Sequence, residues 1–251
     1  MRVLLMFDGQ VGEEIATFLL DQYESDLGFV TTTRESVALA LARERNIPTS
    51  IFSDYSSFES EVKKLQPFDL GLLAWWPTIL PMSSIAIPIN GFVNTHPSML
   101  PHNRGKHYSF WAIIEEVPFG VSLHFVDEKI DCGDIISQAE IPYTWEDTGE
   151  TLYRKATEEI VKLFKGMYPS IRLWQFERIP QEISKGSFHF AREIEPASTS
   201  QLDKFYTARQ LINLFRARTF QGFPGCRFVD GDTVYEIKIS IKSVRQQRVG
   251  N

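Results

Sequence analysis

The chain has 251 residues, 43% hydrophobic and 13% aromatic, enough to bury a sizeable core in one large domain or one domain with an appendage. Its formal net charge is -6 and no basic stripe stands out, which argues against a nucleic-acid partner. No apolar run approaches the ~20 residues that a membrane span needs, which argues against membrane insertion.

The opening Met1-Arg2-Val3-Leu4-Leu5-Met6-Phe7 lacks a basic-then-apolar leader pattern and reads as a buried first strand, so a cytoplasmic address is expected. Over the first ~90 residues, short apolar runs alternate with amphipathic stretches, the pattern of stacked β-α units. Arg2 to Phe7 is strand-like. Glu13 to Gln22 is helical, with Ile15, Phe18 and Leu19 at i, i+3 and i+4. Leu27 to Thr32 reads as strand and Glu35 to Asn46 as helix, broken by Ile47-Pro48; Ser56 to Leu65 is a third helix. Leu70 to Trp75 is almost free of polar residues, as a buried parallel strand should be, and Gly91 to Asn94 is the next strand. Phe119 to Phe125 and Ile135 to Ile141 are two more, flanking an acidic loop, and Thr148 to Trp174 is a long helix containing Gly166.

The pattern is weakest around Lys185-Gly186 and Pro196 to Ser200, which places a boundary between residues 176 and 190. Beyond it come a short helix (Thr207 to Arg216), the turn Gly222-Phe223-Pro224-Gly225, and a hairpin. In the hairpin Asp230-Gly231-Asp232 joins Cys226 to Val229 with Val234 to Ile241. The expected division is 1–180 for a catalytic domain and 181–251 for a small helix and hairpin region. Gly9 and Gly12 sit in G-Q-V-G and not G-x-G-x-x-G, so a dinucleotide cofactor is not expected; a tight strand-to-helix turn accounts for both glycines. Cys132 and Cys226 form no C-x-x-C pair and read as reduced thiols.

The densest chemistry lies between residues 91 and 140. Asn94 and His96 stand two apart after an apolar run, so on a strand end both side chains share one face. Some thirty residues on comes an acidic cluster, Asp127, Glu128, Asp131 and Asp134. Asn, His and Asp meeting at the carboxyl end of a sheet can polarise a carbonyl and move a proton. A zinc site from His96, His102 and His107 lacks any ligand spacing, and no metal is expected.

This stretch resembles the folate-dependent formyltransferase family. Asn94, His96 and Asp131 fall on its Asn-x-His and Asp-x-Gly positions, and Ser98-Met99-Leu100-Pro101-His102-Asn103-Arg104-Gly105 on its Ser-Leu-Leu-Pro-x-x-Arg-Gly signature. Among the acids only Asp131 is followed by x-Gly, while Asp134 departs from the small or apolar residue expected after Gly133. The resemblance spans about residues 65 to 175 and, more weakly, both ends. It implies an α/β fold, a Rossmann-like core with a mostly parallel twisted sheet. It also implies 10-formyltetrahydrofolate as formyl donor, with Asn94 as oxyanion donor, His96 handling the proton and Asp131 orienting it. The folate contacts implied are Trp76, Thr78, Ile79, Leu80, Asp127, Lys129 and Ile130.

The run Asn103-Arg104-Gly105-Lys106-His107-Tyr108, with Trp75-Trp76-Pro77, looks like the branch that formylates nucleotide-linked amino sugars. That implies substrate contacts at Ser98, Met99, Asn103, Arg104, Lys106, His107 and Tyr108. Arg104 and Lys106 suit a diphosphate, the first as a fork and the second as a point charge. The leading acceptor is dTDP-4-amino-4,6-dideoxyglucose, then its 3-amino isomer, in surface-polysaccharide (O-antigen) synthesis. The tail is similar to a dimer-forming element of that branch, which implies a homodimer. Competing readings are a formyltetrahydrofolate hydrolase, a glycinamide ribonucleotide or methionyl-tRNA formyltransferase, and a non-catalytic nucleotide-sugar binding module.

Overall fold

A computed structural model describes residues 1–244; residues 245–251, the last part of the expected C-terminal region, lie outside the described residues. Every residue of Val3–Phe7 (β1) is buried, because helices cover both faces of the strand. Val3, Leu5 and Phe7 enter one hydrophobic cluster while Leu4 and Met6 enter a second on the other side of the sheet, the period of two expected for a strand. Gly9–Tyr23 (α1) follows. Leu27–Thr32 (β2), Val37–Glu44 (α2), Thr49–Ile51 (β3), Tyr55–Val62 (α3) and Leu70–Ala74 (β4) continue the alternation. Ser36 and Asp54 cap α2 and α3 by accepting from Leu39 N and Ser57 N, which begins each helix later or earlier by a residue or two than periodicity alone suggests.

Then come Met82–Ile85 (α4), Phe92–His96 (β5), Arg104–Gly105 (β6), Tyr108–Glu115 (α5), Gly120–Phe125 (β7), Ile135–Glu140 (β8) and Gly149–Arg172 (α6). The seven-stranded sheet has the order β3-β2-β1-β4-β5-β7-β8. Its pairs are parallel from β3 to β5 and antiparallel at β5-β7 and β7-β8. The expected mostly parallel α/β sheet is therefore the architecture found. The order reverses between β1 and β4, so the crevice at the carboxyl ends of these two strands, with β5 next to it, is where such sheets carry their ligands.

Helix α6 starts at a capping box between Thr148 and Thr151. It buries Leu152, Ala156, Ile160, Phe164, Tyr168 and Ile171 against the sheet at three- and four-residue intervals. Gly12 lets α1 settle on β4, since a Cβ there would lie 2.6 Å from the Ala74 carbonyl oxygen.

The remaining strands and α-helices are Phe188–His189 (β9), Ile194–Ala197 (α7), Ala208–Arg218 (α8), Cys226–Asp230 (β10) and Thr233–Ile237 (β11), with single 3-10 turns at Ile183–Lys185 and Ala191–Glu193. The expected hairpin forms, but its second strand ends at Ile237 and not Ile241. Helix α8 is tied down by buried Arg216, whose guanidinium donates to the Thr144 and Asp147 carbonyls at 2.8 and 3.1 Å. Helix α5 was not foreseen: the stretch reads as loop because its N-cap is His107 in the left-handed region, with no polar side chain on the helix N-terminus.

Candidate active site

Strand β5 ends in Asn94 and His96, and the antiparallel register of β7 sets His124 opposite Asn94 and Ser122 opposite His96. His124 makes two bonds, with Nδ1 2.8 Å from the Phe125 carbonyl and Nε2 3.2 Å from Asn94 Nδ2. A carbonyl only accepts, so Nδ1 carries the proton and Nε2 accepts from the Asn94 amide. That leaves one Asn94 N–H not engaged by His124. Burial lowers the His124 pKa to about 4, the desolvation of a cation outweighing the nearby Asp131 carboxylate. The ring is therefore neutral at physiological pH.

Asp131 completes the cluster. Its Oδ1 lies 3.5 Å from His96 Nδ1 and 3.6 Å from His124 Nε2, and Oδ2 accepts the Gly105 N–H at 3.0 Å. Burial pushes this carboxyl up, but the two imidazoles, the Gly105 N–H and Lys106 outweigh it and hold it below the usual carboxylate value. The loop can turn back onto β7 because residue 133 is glycine: a Cβ there would lie 2.0 Å from the Phe125 carbonyl oxygen. Asp134, out of pattern in the sequence, points outward and pairs with Arg178 at 3.0 Å. Trp75, Asn103, His107 and Asp131 all hold positive φ (61°, 52°, 60° and 53°), so backbone strain collects in the loops that surround this cluster.

A stability consequence follows from His124. Its folded pKa lies below the ~6.5 of an unfolded histidine, so its contribution is complete above pH 6.5 and is lost as pH falls through about 4. Asp131, its folded pKa being depressed, adds a separate loss at lower pH, which sets in only below the ~4 of an unfolded carboxyl. Thermal melts should therefore show a steep loss between pH 6.5 and 4, with His124 contributing on the order of 3 kcal/mol. Substituting His124→Asn should flatten that limb; an unchanged slope would contradict a buried neutral imidazole.

Facing the cluster, His96 Nε2 is buried and has no hydrogen-bond partner among the described residues. Tyr108 walls this side, its ring 6.4 Å from His96 and stacked between Phe119 and Tyr153. Burial raises its phenol well above the ordinary value, and the hydroxyl is buried. His96, His124 and Asp131 bring ligand atoms within 4.8 Å of one another, a grouping different from the His96, His102 and His107 set considered in the sequence. The hydrogen bonds already made by His124 and Asp131 account for the grouping as a proton-handling cluster.

The loop after β5 is arranged differently from the substrate rim expected. Ser98 is fully buried, with its hydroxyl donating to the His102 carbonyl at 2.8 Å, and Met99 is half-buried beside Gly120. Asn103 is 1% exposed, its amide donating to Glu115 at 2.8 Å. Arg104, expected as a diphosphate fork, is 8% exposed and turns inward, donating to Cys132 Sγ at 2.8 Å and the Pro101 carbonyl at 3.3 Å. Ser98, Asn103 and Arg104 thus shape the loop from within. Lys106 is the exposed cation of the run. His107 is half-buried, and burial lowers its pKa.

The second rim begins at Trp75, whose backbone N–H donates to Thr95 Oγ1 at 3.0 Å beside the end of β5. Trp76 packs on Phe52 and donates to Tyr55 at 3.2 Å, and Tyr55 bonds Thr78 at 2.7 Å. Ile79 is 70% exposed and Leu80 is buried. Asp127 and Lys129 are exposed and Ile130 half-buried. Both loops are anchored on the same hydrophobic cluster, which holds Leu80 and has Trp76 and Val126 packed against it. At the end of β1 the N-terminus of α1 is capped by Asp8, which also accepts from Thr33, so a carboxylate already sits where a dinucleotide phosphate would bind.

Sequence reasoning missed His124. Its signal was a lone histidine in the Gly-Val-Ser-Leu-His-Phe run, and only the cross-strand register puts it against Asn94.

Residues 8–166 match the family model for formyl transferase, and residues 194–243 match that for the N-formyltransferase dimerization C-terminal domain. A methionyl-tRNA formyltransferase of Listeria monocytogenes is 32% identical over 160 residues, covering 62% of this chain and 50% of that protein. The chain thus spans about half the length of the curated relatives it matches. A solved 4-N formyltransferase from Francisella tularensis superposes with a TM-score of 0.78 at 22% identity, covering 97% of this chain and 98% of the other. The N-formyltransferase from Helicobacter canadensis, solved with folinic acid and dTDP-3-aminofucose, gives 0.71 at 20% identity over 88% and 81%. The match over residues 8–166, with Asn94, His96 and Asp131 brought together inside it, makes this chain a member of the formyl transferase family.

Proposed function

We propose that this protein is an N-formyltransferase that moves a formyl group from 10-formyltetrahydrofolate to the amine of a nucleotide-linked amino sugar. The observation that carries the reading is the buried, unpartnered His96 Nε2 with Asp131 behind its other nitrogen and Asn94 beside it. The donor, when bound, supplies a formyl carbon open to attack by an amine. His96 Nε2 accepts the proton that the attacking amine must lose and, as imidazolium, passes it to the folate nitrogen as the formyl carbon–nitrogen bond of the donor breaks and tetrahydrofolate leaves. Asp131, 3.5 Å from Nδ1, favours the imidazolium so formed. The Asn94 N–H not held by His124 donates to the oxygen that gains negative charge, and His124 keeps that amide aimed. The rims formed by Trp76 to Leu80 and Asp127 to Ile130 hold the folate.

The sugar nucleotide lies along the Lys106 side, with Tyr108 as a wall. Because Arg104 is turned inward, Lys106 carries the diphosphate contact. Lys106→Ala should raise the Michaelis constant for the sugar nucleotide about tenfold with little change in kcat, as loss of binding common to ground and transition states does. A fall in kcat at constant KM would remove Lys106 from that role. A tRNA acceptor fits poorly with a net charge of -6, since gripping nucleic acid rests on cationic contacts to phosphate.

The Francisella and Helicobacter proteins support an amino-sugar acceptor, by their names and, for the second, its bound ligand. The leading acceptor is dTDP-4-amino-4,6-dideoxyglucose, with the 3-amino isomer next. The enzyme is assigned to the cytoplasm as a homodimer built through its C-terminal residues, and its product to surface-polysaccharide synthesis. Incubation with the donor, with and without an amino-sugar nucleotide, tests the reaction class. Formylated sugar nucleotide, with folate turnover that depends on the acceptor, supports transfer. Formate released equally with and without it would make the protein a hydrolase.

A further inference from the structure

The segment from residue 178 to residue 189 is matched by neither family model, since these cover 8–166 and 194–243. Yet it grips both loops that meet at Asp131. On the Asp131 side, Ile179 exchanges two backbone bonds with Ile135 (2.8 and 2.9 Å). Gln181 Nε2 donates to the Asp131 and Gly133 carbonyls at 3.0 and 2.7 Å. On the other side, β9 pairs in parallel with β6, Arg104 N donating to the Ser187 carbonyl and Lys106 N to the His189 carbonyl at 3.1 and 3.0 Å. Ser187 Oγ accepts from Asn103 N at 3.1 Å and donates to Glu115 at 2.7 Å, the carboxylate that also holds the Asn103 amide. His189 lies flat on Trp111 at 3.7 Å, with its nitrogens 2.7 Å from Glu115 and 3.2 Å from Glu193.

Gly105 is the point where the two loops join. Its N–H feeds Asp131 Oδ2 at 3.0 Å, and on its other side a Cβ would lie 2.3 Å from the His189 carbonyl oxygen. The position of β9 therefore sets how far the N–H donor stands from the carboxylate. Gly186 closes the strap equally tightly, a Cβ there falling 1.9 Å from the Pro101 carbonyl oxygen.

We propose that residues 178–189 form a strap that positions the Asp131 carboxylate, with Gln181 acting through the Asp131 main chain and Ser187 through the Gly105 N–H. This rests on the catalytic role given to Asp131 above. The charged and titratable groups facing that carboxylate are His96 from β5, His124 from β7 and Lys106 from the substrate loop. The strap itself presents only the neutral Gln181 to the Asp131 loop backbone, while Arg178 is paired with Asp134. Weakening the strap removes a hydrogen bond to the ionised form of Asp131, so the carboxyl should titrate at higher pH.

The test is a carbon-13 NMR titration of the Asp131 side-chain carboxyl in the full-length protein, assigned with Asp131→Asn, alongside kcat measurements. Gln181→Ala and Ser187→Ala should each move the midpoint upward and lower kcat about five- to tenfold, and Ser187→Thr, which keeps the hydroxyl, should behave as wild type. Circular dichroism checks the fold; should Gln181→Ala not fold, the half-buried Ser187 carries the decision. Midpoints equal to wild type in the folded variants, whatever happens to kcat, would overturn the strap. The titration needs no acceptor, so it stays decisive even if the wild-type enzyme formylates no amino sugar, an outcome that would count against the proposed function alone.

Discussion

Asp131→Asn should lower turnover by about a hundredfold or more while the protein keeps its fold. The side chain sits between two imidazoles and accepts the Gly105 N–H, so an amide of the same size fits the space but carries no charge. In the proposed mechanism the charge is what favours a protonated His96 during amine attack. An amide at 131 also presents N–H groups toward His124 Nε2, competing with the Asn94 amide for the same lone pair. Two functions are thus disturbed at once, and the loss should appear in kcat more than in either Michaelis constant. Steady-state kinetics with far-UV circular dichroism checks this. A folded variant with near-wild-type turnover would remove Asp131 from the chemistry.

Asn94→Ala should produce a loss of similar size by a different route. One preorganised donor to a developing oxyanion is typically worth about 3 kcal/mol, or roughly a hundredfold in rate. Truncation also leaves His124 Nε2, buried at 1% exposure, without the amide that it accepts from, at a cost of about 1 to 3 kcal/mol in stability. The variant should therefore be both slow and somewhat less stable, whereas Asp131→Asn should be slow with its acid stability profile altered. Kinetics and melts on the same preparations separate the two. An Asn94→Ala enzyme that turns over normally would mean that some other donor holds the oxyanion.

Much of this arrangement was legible in the residues. The apolar runs at Val3–Phe7 and Leu70–Ala74 announce buried parallel strands, because a strand covered on both faces admits no alternation. Asn94 and His96, two apart at a strand end, and Asp131 with its glycine two residues on, mark the site as a local pattern. What stayed hidden depends on distance along the chain. His124 acquires its meaning from an antiparallel register that nothing in its own neighbourhood encodes. Arg104 reads as a surface cation from its neighbours, yet it is turned inward to Cys132 and Pro101. The region around Lys185-Gly186 looks like featureless linker because its two-residue strand has no periodicity to detect, although it reaches back to Gly105, some eighty residues earlier. Helix α5 was lost for a smaller reason: Phe110, Ile113 and Ile114 do repeat at i, i+3 and i+4, but no capping residue announces the start.

The central claim is that the Asn94, His96 and Asp131 cluster passes a formyl group to the amine of a nucleotide-linked sugar. The most direct test is mass spectrometry of reactions containing 10-formyltetrahydrofolate and either the 3-amino or the 4-amino dTDP sugar, offered separately. The account predicts a gain of one formyl mass on one of the two, the 4-amino sugar first, and no gain with Asp131→Asn. No formylated sugar from either acceptor, with the folate turned over to formate, would contradict it.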